Sequence, residues 1–146
     1  MAITQALANS FKKELLEAEH NFKQTGGDKF KIALYTSSAT LNSATTSFTT
    51  TNEVANSGQY TSGGGALVNN GTSIASGVAI VDYADRSFTG VTLTARGALI
   101  YNTSATVANA AVAALDFGAD KTATSGTFTI QFPAFTTSAA ILRISG

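Results

Sequence analysis

The feature that most limits the architecture is a change of hydrophobic period at Gly26-Gly27. Beyond it, Phe30, Ile32 and Leu34 alternate with Lys31, Ala33 and Tyr35. Within residues 88–101, Val91 and Leu93 alternate with Thr92, Thr94 and Arg96, and later Phe128, Ile130 and Phe132 alternate with Thr127, Thr129 and Gln131. A period of two sends successive side chains to opposite faces of an extended chain, so each run predicts a half-buried strand. Residues 74–83 read as another strand, and the near-continuous apolar run at 110–117 as a strand buried on both faces. Gly97 predicts a bulge or kink, Pro133 ends the run before it, and residues 139–144 form a last strand. Six or seven short strands with turn signals between them and no second helix predict a mainly β fold. The expected form is an antiparallel β-sandwich or jelly-roll-like domain preceded by one N-terminal α-helix.

The helix is read from Ile3, Leu7, Phe11, Leu15, Ala18 and Phe22, whose spacings of four, four, four, three and four trace one helical face. Thr4 is a candidate N-cap and Gly26-Gly27 a stop. The division is thus an amphipathic helix over 1–27 and a β body over 28–146, together one structural unit. The helix's apolar face lands either on the chain's own sheet or on a neighbouring subunit. Residues 36–58, rich in Thr and Ser and without a period, form a long irregular segment that is either held by a partner or a mobile surface loop.

Charge is distributed unevenly. Nine basic and nine acidic residues cancel, but nine of these eighteen lie in the first 31 residues. The remaining body is far below the roughly 25% charge of ordinary globular chains. Interface centres are depleted of charge, so the body suits either a partner-covered surface or one solvated by Thr and Ser. No Lys or Arg cluster offers phosphates a binding stripe, which argues against nucleic acid. The longest apolar runs fall short of the roughly 20 residues that span a bilayer, and the first residues lack a secretory apolar core. Cysteine is absent, so disulfides and thiolate metal sites are impossible.

Catalytic patterns do not assemble. His20 is the only histidine, and no serine elbow accompanies it. Its position near the end of the expected helix suits a structural role. Asp82 with Asp85, and Asp116 with Asp120, lack the spacing of a calcium loop and read as turn residues, with weak calcium binding as the other reading. Asp116-Phe117-Gly118 and Gly63-Gly64-Gly65 lack the surrounding residues of a kinase or phosphate loop. No catalytic residue, metal ligand or cofactor is expected. The candidate partner contacts are Phe11 and Leu15 on the helix, Phe48 in the Thr-rich segment, Tyr60, Tyr83 and Arg86. Tyr35 and Tyr101 are also candidates, because tyrosine supplies a large apolar body with a polar tip. Arg86 and Arg96 are expected to pair with nearby aspartates, Asp82 and Asp85 foremost.

Several blocks taken together resemble small virion proteins of tailed bacteriophages. These are MAITQALANSFKKELLEAEHNF at the start, then KIALYTSSATL, GQYTSGGGALV, LTARGALIYN, AALDFGADKTATSGTFTIQFP and the closing AAILRI. The resemblance runs from Ile3 to Ile144 and carries no catalytic residues. It implies a virion structural protein, assembled in the host cytoplasm, with a capsid decoration or cement protein as the first expectation. Such proteins bind the major capsid protein or other virion proteins, often as dimers or trimers, and bridge neighbouring subunits. A tail, baseplate or fibre-attachment protein is the alternative, and a glycan-binding β-sandwich module using exposed tyrosine is a second one. The Thr-rich segment after Leu41 and the triple glycine depart from the pattern and are where partner specificity could differ.

Overall fold

The computed structural model describes residues 2–133 and 140–145. In chain order it comprises β1 (Ala6–Leu7), α1 (Asn9–Leu16), β2 (Phe30–Tyr35), β3 (Gly65–Ala66), β4 (Asn69–Ala75), β5 (Val78–Tyr83), β6 (Arg86–Asn102), β7 (Ala110–Ile130) and β8 (Leu142–Ile144). They form two antiparallel sheets, one ordered β1-β7-β6-β2-β3 and one ordered β4-β5-β8. The fold is mainly β and sandwich-like, with one short helix.

The long hairpin β6–β7 dominates. It is paired from Asn102↔Ala110 at its closed end to Arg86↔Ile130 at its open end. Near the closed end, Gly97–Asn102 and Ala110–Leu115 are buried on both faces, as the apolar run predicts. Further out, Phe88, Val91, Leu93 and Ala95 point inward while Thr89, Thr92 and Thr94 face solvent. The expected irregularity at Gly97 is present as a shift of register between Ala95 and Gly97. There, residues 117–120 of β7 bulge opposite Arg96 alone, with Gly118 at φ 81°. The runs at 110–117 and 127–132, expected as two strands, therefore belong to one strand as far as Ile130. The reverse holds at 74–83, which is not one strand. Ser76 (φ 50°) and Gly77 (φ 75°) turn the chain between β4 and β5, with both central residues at positive φ as a tight hairpin requires. Ala139 lies outside the described residues, and the closing strand is observed over Leu142–Ile144.

β2 is more buried than its alternation suggests, because Ala33 and Tyr35 are covered as well as Ile32 and Leu34. Ring contacts carry the core from sheet to sheet. Phe22 stacks on Phe30 at 4.7 Å, Phe30 meets Tyr83 of β5 at 5.8 Å, and Tyr83 meets Phe132 at 5.9 Å.

The irregular segment 36–58 is not a loose loop, because the chain's own sheet holds it. Thr36 N–H donates to the Asn52 carbonyl, Val54 N–H to that of Leu34, and the Tyr35 hydroxyl to that of Thr49. Two parts of this loop region complete sheet edges. Ala111 N–H donates to the Thr46 carbonyl and Phe48 N–H to that of Asn109, extending the edge that β1 covers on β7. On the other side, Gln59 and Ser57 bond Thr89 and Thr92 of β6. Open edges are thereby shortened, which limits unwanted strand pairing.

The helix differs from its expected span of 1–27. Ile3 instead pairs with Leu41 and packs over Gly97, while Ala6–Leu7 join the sheet edge. The cap position is Ala8, not Thr4, and it makes no side-chain cap bond. The helix stops ten residues before Gly26. Ala18 turns left-handed at φ 61°, and Glu19 N–H reaches back to the Glu14 carbonyl. A continued helix would have carried Phe22 about 9 Å beyond Leu16, whereas the reversal seats it on Phe30. Burial of Phe22 and His20 outweighs the periodic pattern that would extend the helix.

Alanine has a Cβ that disfavours this left-handed position, and glycine does not. Ala18→Gly should therefore raise stability by about 0.5–1 kcal/mol in urea unfolding; a lower stability would show that Ala18 is not the strained stop described.

Candidate functional site

The polar chemistry of the chain is turned inward, around Asn102 at the end of β6. Its Oδ1 accepts from the N–H groups of Ser104 and Ala105 at 2.8 and 3.1 Å. That fixes the amide orientation, so Nδ2 is the group that meets Asp28 Oδ2 at 2.7 Å and His20 Nδ1 at 2.9 Å. Nδ1 of His20 must then be an acceptor, and the ring proton sits on Nε2, donated to Glu14 Oε1 at 2.9 Å. Asp28 Oδ2 also accepts from Asn21 N–H at 2.9 Å, closing the turn between α1 and β2. His20 is thus buried with both ring nitrogens engaged, which leaves neither to meet a substrate.

The tyrosines are inside as well. Tyr35, Tyr60, Tyr83 and Tyr101 are all 3% exposed or less, so Tyr60 and Tyr83 are core residues in place of the expected partner contacts. The reason is that their hydroxyls, or their rings, find partners internally. Tyr60 OH donates to Glu53 Oε2 at 2.7 Å and accepts from Leu34 N–H at 2.8 Å. Glu53 also takes Ser62 Oγ and Gly63 N–H, tying the start of the triple glycine to the loop. Gly64 has φ 81°, and any Cβ there would collide with the Ile32 carbonyl, so this glycine serves the fold. Burial pushes all four phenols up, Tyr101 to about 12.

The other expected contacts divide. Phe11 is buried, in correction of its place among surface contacts, because it packs on His20 and Phe22. Leu15 is half-buried. Phe48, also half-buried, stacks on Tyr101 at 4.8 Å. Arg86 does not pair with an aspartate as expected; its guanidinium lies 4.7 Å over the Phe88 ring, above Gly65. Arg96 pairs with Asp116 at 3.2 Å in place of Asp82 or Asp85. The Gly118 N–H and then Arg96 hold the Asp116 carboxyl below its ordinary value. Asp85 accepts from Phe132 N–H, while Asp82 is buried on β5. Asp82, Asp85 and Asp116 thus meet different partners, and among the described residues no group of three or more metal-binding side chains converges.

Two surfaces remain as candidates for recognition. The first is the outer face of the β6–β7 hairpin, which is covered with hydroxyls. Thr94 and Thr122 bond across the strands at 2.9 Å, as do Ser87 and Thr129, and Thr92 accepts from Ser125 N–H at 3.0 Å. The second is an apolar groove of about 600 Å³ between α1 and the three-stranded sheet, walled by Leu7, Phe11 and Leu15 on one side and by Ile80, Leu142 and Ile144 on the other. Sequence reasoning missed Leu16 and Ile144 at this groove. Leu16 is off the apolar stripe, on the wet side with Lys12, and that misplacement was the available signal. No protein-family model matches the chain, and neither a curated protein nor a solved structure does.

Asn102→Ala would remove a bond from four internal groups, leaving three of them without a partner, and should cost about 3–4 kcal/mol in urea unfolding; a loss under about 1 kcal/mol would show the network to be dispensable. Raised phenol values stabilise the fold fully below the unfolded value of about 10, and this contribution is lost as pH rises above it. Tyrosinate absorbance should therefore appear together with loss of β circular dichroism in one alkaline step. Independent titration of the phenols near pH 10 in a folded chain would contradict their burial.

Proposed function

We propose that this chain is a non-enzymatic virion structural protein that binds the outside of a phage capsid and bridges its subunits as a decoration or cement protein. The observation that carries the reading is the neutral, hydroxyl-covered outer face of the β6–β7 hairpin. It stands alongside the resemblance of the sequence blocks to small phage virion proteins.

A neutral face avoids the desolvation cost of burying unpaired charge. Threonine has few rotamers to lose, so ordering such a face at an interface costs little entropy. A protein that binds only the assembled shell stabilises that shell by mass action, and contacts to several subunits reinforce each other through effective concentration. The partners on this reading are the major capsid protein or other virion proteins, and the location is the virion. The sealed His20 ring supports a role without catalysis. The tail or baseplate alternative would use the same neutral face. Nothing favours the glycan alternative, since Tyr60 and the other tyrosines offer sugars no surface platform.

The decisive measurement is copy number relative to the major capsid protein in purified virions, by quantitative mass spectrometry. A ratio near that of the shell subunit is expected, a small fraction moves the protein to the tail, and absence from the particle ends the virion reading. Purified chain added to shells lacking it should raise their melting temperature. Thr127→Lys should weaken that binding by about tenfold or more, with the fold unchanged by circular dichroism; binding equal to wild type would remove the hairpin face from the interface.

A further inference from the structure

The groove between α1 and the small sheet has mostly aliphatic walls and charges of one sign. α1 turns Phe11, Lys12, Leu15 and Leu16 toward it, a broad side of the helix. The opposite wall is a sheet face. Ile74, Ala79 and Ile144 stand side by side across β4, β5 and β8, and Val81 meets Leu142 one step further in. Phe11 and Leu142 are covered at the bottom, whereas Leu16 is 91% exposed and Ile144 61% at the rim. The volume of about 600 Å³ lies within the roughly 300–1,000 Å³ of small-molecule sites.

Lys12 lies on the helix wall and Arg143 on the β8 wall, and no Asp or Glu side chain lines the groove. The carboxylates of α1 are engaged elsewhere, Glu14 with His20 and Glu17 with Lys13. Lys12 meets Asn9 Oδ1 at 3.5 Å, a contact too long to hold the ammonium firmly. An occupant that lays alkyl groups on these walls and brings a negative charge to the rim complements both features. A bilayer surface fits less well, since the covered Phe11 and Leu142 lie below the reach of a flat apolar layer.

We infer that this groove binds a single-chain aliphatic anion, a fatty acid being the simplest, with its tail between α1 and the small sheet and its head group at Lys12. The tail gains by leaving water, about fourfold in affinity for each methylene buried. It also covers Leu16 and Ile144, whose apolar surface is otherwise left in water. The head group gains a charge-assisted contact from a lysine whose flexible stem can swing across the rim. This site is separate from the hairpin face, and the inference does not rest on the virion reading.

Isothermal titration calorimetry of the full chain with laurate, kept below micelle formation, tests it. One laurate per chain is expected, with a dissociation constant of about 1–100 µM. Decanoate, two methylenes shorter, should bind about tenfold more weakly. Dodecyltrimethylammonium has the same tail length and the opposite charge, and should also bind about tenfold more weakly than laurate. Lys12→Glu, a change at an exposed position, should abolish that preference with the circular dichroism unchanged. Ala79→Phe should fill the floor and abolish binding of both probes, and Lys12→Glu decides alone where Ala79→Phe fails to fold. No laurate binding at about 1 mM, equal binding of the two probes, an unchanged preference in Lys12→Glu, or wild-type binding in folded Ala79→Phe would each overturn the inference. Capture of the chain by phosphatidylglycerol vesicles without binding of laurate would overturn it in favour of a membrane surface.

Discussion

The fold is organised around one buried amide. Asn102 closes the last register of β6, holds the hairpin loop through the Ser104 and Ala105 amides, and bonds His20 and Asp28 from the segment that follows α1. The hairpin end and the segment after α1 are far apart in sequence, so bonding four polar groups with one side chain fixes their relative position. Burial raises the stakes, because each group left without a partner in that environment costs far more than the net gain of a single bond. The direction of α1, and with it the groove beside the small sheet, follows from His20 being held between Asn102 and Glu14.

A second constraint is the length of the β6–β7 hairpin. Two strands of 17 and 21 residues present more edge than β1 and β2 can cover. The Thr-rich segment covers part of the remainder, with Thr46–Phe48 along β7 and Ser57–Gln59 along β6. Its lack of period is a consequence of this role, because it follows edges set by other strands and is held mostly through backbone bonds. The outer face left uncovered is then filled by threonines, which suit a strand's pleat and bond one another across it.

What was legible in the sequence follows from this division. Local alternation placed β2 and the inward set Val91 and Leu93, and the unbroken apolar run placed Ala110–Leu115, although alternation gave β2 one buried face where Ala33 and Tyr35 are covered too. The bulge at Gly97 was also readable, since a glycine in a strand is seldom neutral. Helix length was not readable. Ile3, Ala18 and Phe22 keep a helical period, but Ile3 is drawn to Leu41 and Phe22 to Phe30 by contacts across the chain. The tyrosines were misplaced for a related reason. Tyr35, Tyr60 and Tyr101 enter the core with a hydroxyl partner, and Glu53, which receives Tyr60, is linked to it only through loop geometry, while Tyr83 is held by its ring contacts with Phe30 and Phe132. At the candidate surfaces, Leu16 was hidden by the rule that apolar residues define the inner stripe; an exposed leucine departs from it and marks the groove.

The charge pattern acquires a physical meaning from the same geometry. Half the charges lie in the first 31 residues, and several of these are spent inside the molecule. Glu14 holds His20, Asp28 holds Asn102 and Asn21, and Glu19 receives the Thr106 amide. Most of the few charges in the body are likewise engaged, with Arg96 on Asp116, Arg86 over Phe88 and Glu53 within the loop. The outer hairpin face is consequently hydroxyl-bearing and the groove apolar. Surfaces of this kind discriminate partners by shape and hydrogen-bond match, since long-range steering requires a charge field that the chain has neutralised within itself.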